Sequence, residues 1–375
     1  MASTYGKNLV DGGQVFHPPR PAEQSFLGVS LKWVSLVLMV VQMVGMVFIL
    51  RVSRTEQVDG PRYLNTTAIL FAEMLKFHGS LFIHWIVSKN FREFSVELRQ
   101  HFLLDRWGLA RSSVPSLLYT LQNNLLFIGL SHLSAGLYQV TYQFKILTTA
   151  ALSFVVLGTR LSAEKWFALF LLTVGVMLVN VSGMHKSSST DEGNTMVGLT
   201  AVIVACFTSG FAGVYTEKIL KLSSASLWIR NMQLALFGMM FAFVIAIKND
   251  GQRIRSDGFT QGYTSLVWAV VVCQAFGGFL SGAVMKYADN ILKCFGCAIA
   301  IIFTCLLSVF ELHEFTPDSF FLFGTIIVLI STGIYSLGLP SGAIGTLATR
   351  AVFMLPKGDV FGEPRRQDGL RCGET

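Results

Sequence analysis

Apolar residues along this chain come in blocks of about 20, separated by short polar stretches, and about 20 is the helical length that crosses a bilayer. Ten blocks can be read, at about 31–51, 64–88, 113–133, 135–157, 163–183, 196–217, 226–247, 264–285, 290–310 and 318–338. Helices are the physical choice, because in lipid each backbone N–H and C=O must be paired within its own segment. Ten-residue strands of alternating polarity are not seen. The pattern therefore predicts an all-α membrane protein with ten transmembrane helices. The first block follows 28 mixed residues, unlike a signal peptide with its short charged start, and is expected to remain as the first span.

The polar stretches set the organisation. Residues 1–28 form an N-terminal segment, 29–338 the ten-helix domain and 339–375 a tail of mixed composition. The longest connection, "KNFREFSVELRQHFLLDRWGLARS" at about 89–112, reads as an interfacial helix with Phe, Leu and Trp on one side. The polar loop "HKSSSTDEGNT" at 185–195 divides spans one to five from six to ten. Two sequons, at Asn65 and Asn180, lie too near span ends to be read as glycosylated.

Composition agrees with the pattern. The chain is 52% hydrophobic and only 14% charged, against roughly 25% charged in a soluble domain. With an even number of spans both termini share one side. That side would hold seventeen loop and tail Lys and Arg residues against seven opposite, which places both termini in the cytosol. The net charge of +7 is then mostly topology, and its spread over loops argues against nucleic-acid binding. Cys294 and Cys297 have a CxxC spacing but lack a second ligand pair, so buried thiols are expected and no metal.

Lys145 breaks the pattern from inside. It lies near the centre of the fourth block, where an ammonium costs at least about 2.5–3.5 kcal/mol, with no carboxylate of its own helix in reach. Lys293 lies near the start of the ninth block, five spans on, unpaired in its helix except for Asp289 one turn back. An odd number of spans per half would insert the second half upside down, the inverted-repeat plan of many secondary transporters. Other polar residues in the blocks have bland readings. Lys218, Arg230 and Lys286 are near block ends, where long cations snorkel. Glu73 and Lys76 are three apart and can neutralise each other. Gln122, Asn123 and Asn124 could serve interhelical hydrogen bonding. Two lysines without matching acids imply that a mobile anion completes the charge balance. Ringed by Tyr138, Tyr142, Asn123, Asn124 and Asn231, they suit a nucleotide: Tyr stacks and donates, Asn donates and accepts.

The strings "QNNLLFIGLSHLSAGLYQVTYQFKILTTA", "SGFAGVYTEKILK", "SLWIRNMQL", "GFTQGY" and "KYADNILK" resemble the Golgi nucleotide-sugar transporters, in the branch carrying UDP-galactose, UDP-N-acetylglucosamine and CMP-sialic acid. The resemblance runs from the first span to the tenth. It implies the drug/metabolite transporter fold, with two inverted five-helix repeats at about 29–183 and 196–338, and exchange of cytosolic nucleotide sugar for lumenal nucleoside monophosphate. By the same resemblance, Lys145 and Lys293 would bind the phosphates, and Tyr138, Tyr142, Asn123 and Asn231 would line the nucleoside site. Glu73 and Lys76 would lie toward the sugar. CMP-sialic acid members are similar to one another in having Tyr and Ser where this chain has Ala235 and Phe237, which favours uridine here. Cys294, standing for the usual Gly, could reshape the phosphate pocket.

The expected activity is therefore antiport of a UDP-sugar, UDP-galactose and/or UDP-N-acetylglucosamine, for UMP across the Golgi membrane, with the ER membrane as the alternative compartment. The other readings are a CMP-sialic acid/CMP antiporter and a drug or metabolite exporter of the same fold. A membrane enzyme such as a glycosyltransferase would need acidic residues or a metal-binding pair in a loop, and no such cluster is seen. The expected partners are the nucleotide sugar, the nucleoside monophosphate and the lipid bilayer, with a homodimer left open; no cofactor is expected.

Overall fold

A computed structural model describes residues 25–26, 29–55, 61–182, 194–223, 225–310 and 318–337. The expected N-terminal segment, the tail and most of the 185–195 loop lie outside the described residues. Within them the protein is helical: α1 (Leu31–Thr55), α2 (Asn65–Val87), α3 (Phe91–Arg99), α4 (Arg106–His132), α5 (Ala135–Tyr142), α6 (Lys145–Leu157), α7 (Ala163–Ser182), α8 (Thr195–Leu222), α9 (Leu227–Asp257), α10 (Ser265–Tyr287), α11 (Asn290–Phe310) and α12 (Ser319–Leu337). A two-residue antiparallel ladder, Ser25–Phe26 with Val29–Ser30, precedes α1.

Among the described residues, eight segments are long and apolar enough to cross a membrane: α1, α5 with α6 taken together, and α7 to α12. The helices α2 and α4 have 23 and 27 residues, but Glu73, Lys76 and the run Gln122–Asn124 make them more polar. The multi-pass membrane character is carried by these segments and by an outer face of exposed Val, Leu, Ile and Phe.

Local chemistry sets the helix starts. Asn90 accepts the Glu93 N–H and Asp105 accepts the Gly108 N–H, each at 2.8 Å. Ser226 accepts the Ile229 N–H at 3.2 Å and Asp289 the Leu292 N–H at 2.6 Å, so short polar side chains satisfy first-turn donors that the helix cannot. The segment 89–112 differs from the single interfacial helix expected. It divides into α3 and a π-helical turn over Gln100–Leu104, and the Asp105 cap starts α4 at Arg106, ahead of the predicted 113.

The helices pack as pairs: α7 with α12, α4 with α8, α2 with α9, α1 with α10, and α6 with α8, with α1–α11, α2–α10 and α4–α9 completing the main set. At the α7–α12 crossing, Gly175 and Gly324 meet backbone to backbone. A Cβ on Gly324 would stand 2.8 Å from the Gly175 carbonyl, so only glycine allows this approach. The largest buried cluster joins α6, α7, α11 and α12 through Ile146, Leu169, Leu172, Val176, Ile291 and Phe295. It fixes the starts of α6 and α11, which carry Lys145 and Lys293.

Candidate functional site

The fourth apolar block is not one helix. Between α5 and α6 the backbone tightens to i→i−3 bonds, with Phe144 N–H donating to Thr141 O at 3.1 Å and Ile146 N–H to Gln143 O at 3.0 Å. The interruption places Lys145 at the first position of α6. Its Nζ lies 4.1 Å from the centroid of the Tyr142 ring. That ring stacks on Tyr138, with centroids 6.2 Å apart, and Gln122 Nε2 donates to its hydroxyl at 2.9 Å.

Lys293 sits in the first turn of α11, where Asp289 caps the helix. Buried Glu217 of α8 accepts the Asn290 N–H at 2.9 Å through one oxygen and pairs with Lys221 at 2.6 Å through the other. Both acids near α11 are thus engaged elsewhere. Among the described residues, no carboxylate lies within 4.0 Å of Lys145 or of Lys293. Ile146 and Leu147 of α6 share one packed cluster with Ile291 and Cys294 of α11, so the starts of the two helices that carry the lysines lie together.

A cavity of about 230 Å³ lies between α2, α4, α8, α9, α10 and α11. Four residues singled out from the sequence line it: Glu73, Lys76, Asn231 and Lys293. Glu73 and Lys76 pair at 2.6 Å, as their spacing predicts, and a Cβ on Gly238 of α9 would stand 2.6 Å from Glu73 Oε2, so glycine makes the room. Asn231 is buried, and its Nδ2 has no partner in the structure. An unmatched buried donor costs about 1–3 kcal/mol, which an acceptor entering the cavity would recover.

Five other candidates are not in that wall. Tyr138, Tyr142 and Lys145 form the neighbouring cluster on α5 and α6, while Asn123 and Asn124 lie on an exposed face of α4, with Asn124 bonded back to the Thr120 carbonyl at 2.8 Å. Of the run Gln122–Asn124, the residue that α4 buries is Gln122. Tyr119, one turn before it, reaches the cavity together with Ser116, Thr216 and Ser281, none of which stood out in the sequence. On α9 the wall is Asn231, Leu234 and Gly238; Ala235 is buried off that line.

Arg230 corrects the expectation that it snorkels. It is 7% exposed, and its guanidinium donates to Ser223 Oγ at 2.7 and 2.9 Å, to the Gly108 carbonyl at 3.1 Å and to Gln233 Oε1 at 2.6 Å. Gln233 in turn donates to the His101 carbonyl at 2.8 Å. The Gly108 carbonyl lies on α4, the His101 carbonyl on the turn before it and Ser223 at the end of α8, so the charge, directly and through Gln233, ties α9 to α4 and α8. Burial, and then the Arg230 charge, lower the pKa of His101 from the ordinary value of 6.5.

A family model described as "Nucleotide-sugar transporter" matches residues 28–336. The chain is similar to the UDP-N-acetylglucosamine transporter of Rattus norvegicus, 44% identical over 313 residues that cover 82% of this chain and 96% of that one. It is also similar to the UDP-galactose translocator of Mus musculus, 41% identical over 321 residues that cover 85% and 81%. A crystal structure only 11% identical superposes with a TM-score of 0.59 over 85% of this chain and 98% of its own, which shows a shared fold alone.

Proposed function

Because the chain belongs to the nucleotide-sugar transporter family, we propose that it is an antiporter that carries a UDP-sugar from the cytosol into the Golgi lumen and returns UMP. It is a transporter and not an enzyme. The observation that carries the proposal is Lys293: a cation facing a cavity within the helices, without a carboxylate partner, beside the unmatched Asn231 donor. A phosphate supplies the missing charge and an acceptor on base or ribose supplies the missing bond. UDP-N-acetylglucosamine and UDP-galactose, named for the relatives, are the proposed cargo; the resemblance at Ala235 and Phe237 favours uridine over cytidine, with Ala235 acting from behind the cavity wall.

In this reading Lys293 and Lys145, at the starts of α11 and α6, hold the phosphates. Tyr138, Tyr142 and Asn231 serve the nucleoside, whereas Asn123 and Asn124, on the exposed face of α4, do not. The Glu73–Lys76 pair, neutral as a unit, offers donors and acceptors to sugar hydroxyls. The helix pairs support two inverted repeats, counting α2 and α4 among ten passes and both termini as cytosolic. Exchanging each pass with the one five places on turns α4–α8 into α10–α1, α6–α8 into α11–α1, and α2–α10 into α9–α4, while α7–α12 and α2–α9 return to themselves.

A UDP-sugar and UMP each carry about two negative charges, so their exchange moves little net charge. The empty site keeps uncompensated lysines, and only a bound anion makes closure favourable; a ligand shifts a conformation through differential affinity alone. Nucleotide selectivity tests the substrate class. Thermal unfolding of the purified protein should be shifted upward by UMP more than by CMP, GMP or AMP at equal concentration. A CMP response equal to or above that of UMP would overturn the uridine assignment.

A further inference from the structure

A second cavity, of about 360 Å³, opens at the end of the helices that carries α3, the π-helical turn and the start of α4. It shares no residue with the central cavity. Its walls hold three cations, Arg111, Lys218 and Arg230, against one carboxylate, Asp105, which is already engaged in capping α4. Arg230 is a fixed charge at the base, held by Ser223, Gly108 and Gln233. The rim cations are freer: Lys218 makes one long bond, to the Val156 carbonyl at 3.4 Å, and Arg111 is exposed. One preset and two adaptable cations around a concavity suit a phosphate group.

The surroundings decide which phosphate. Leu104 is 70% exposed and Trp107 79%, and Leu103 and Leu222 also stand outward next to the cavity. A free nucleotide has no use for such a surface, and its base and ribose would find little to pair with in a wall where Tyr215 already stacks on Phe211. An amphiphile uses both parts. Trp and Leu beside Arg and Lys form the pattern of a segment lying at the headgroup level.

We propose that this pocket binds the phosphate-bearing headgroup of an anionic phospholipid, a phosphoinositide-type monoester, with its acyl chains along Leu104 and Trp107. The monoester brings about −2 to a wall whose charged residues sum to +2. Because α4, α8 and α9 meet here and also carry Tyr119, Thr216 and Asn231 into the central cavity, an occupied headgroup pocket ties together the helices that shape the transport site. The proposal is independent of which sugar nucleotide is carried.

The test is thermal unfolding of the purified full chain in detergent, titrated with dioctanoyl phosphatidylinositol phosphate, dioctanoyl phosphatidylcholine, soluble inositol bisphosphate and UMP. The anionic lipid should raise the midpoint and the neutral lipid should not. The double variant Arg111→Gln, Lys218→Gln should bind the anionic lipid roughly tenfold more weakly or worse, and Arg111→Lys with Lys218→Arg should retain it. Lys293→Ala should keep the lipid response while losing the UMP response, which separates the two sites. If the double variant unfolds early without lipid, Arg111→Gln alone, on an exposed residue, gives the reading. No shift with the anionic lipid, or an unchanged response in the neutralised variant, would overturn the proposal. So would an equal shift from soluble inositol bisphosphate in Lys293→Ala protein, which would make the site one for free phosphates.

Discussion

Lys293 and Arg230 are both basic side chains close to helix starts, and the structure uses them in opposite ways. Arg230 has spent its donors on protein acceptors, so replacing it should unfold and not merely inactivate. Arg230→Met removes the charged donors to Ser223, Gln233 and the Gly108 carbonyl, leaving one Ser112 hydroxyl to serve the last two, and should lower stability by on the order of 3 kcal/mol, read as a fall in the unfolding midpoint. An unchanged midpoint would mean the network contributes nothing. Lys293 has no carboxylate to lose, so Lys293→Ala should leave folding intact while weakening UMP binding about 10- to 100-fold, measured by titration. The sequence made Lys293, Asn231 and the Glu73–Lys76 pair visible, because charge and amide inside an apolar block stand out by themselves. It could not phase the run Gln122–Asn124, where adjacent residues of a helix point about 100° apart and only packing shows that Gln122 faces Tyr142. It also misplaced Arg230, whose partners on α4 lie more than a hundred positions earlier in the chain.

At the scale of elements, two helix starts matter most, those of α6 and α11. The first follows an interruption that no Pro or Gly announces, since its residues are Gln143 and Phe144, and so it was not legible in the sequence. The second is held by Glu217. Glu217→Ala strands the buried Asn290 N–H and should destabilise the protein by about 1–3 kcal/mol. Glu217→Gln keeps an acceptor oxygen for that N–H and should cost less. Equal losses would assign the effect to the Lys221 pair instead. The most apolar helices were readable from block length alone; α4 began early because the Asp105 cap, and not hydropathy, sets its start. The π-helical turn carries a pH effect. His101 has its pKa held below the unfolded value of 6.5, so between the two values the unfolded segment binds more protons than the folded one. Stability of this segment should therefore fall as pH drops below about 6.5 and stay flat above it. Hydrogen exchange over 91–104, corrected for its intrinsic pH dependence, should show faster opening at pH 5.5 than at pH 7.5. His101→Phe should shrink the difference, and a native protein without one would contradict the assignment.

The whole molecule brings the two scales together: a paired-helix bundle whose pairs exchange under a five-pass shift, enclosing a cavity with an unbalanced lysine. In the antiport we propose, two similar halves around one site rock between two arrangements, and an anion that balances the lysines makes the passage favourable in either direction. On that proposal exchange is obligate, because the return stroke also needs a ligand. The measurement that tests this most directly is uptake of radiolabelled UDP-N-acetylglucosamine and UDP-galactose into proteoliposomes preloaded with UMP or left empty. At least one sugar should enter several-fold faster against internal UMP, and Lys293→Ala protein that inserts normally should show no such stimulation. Uptake at the same rate into empty vesicles, or stimulation that survives Lys293→Ala, would contradict the account.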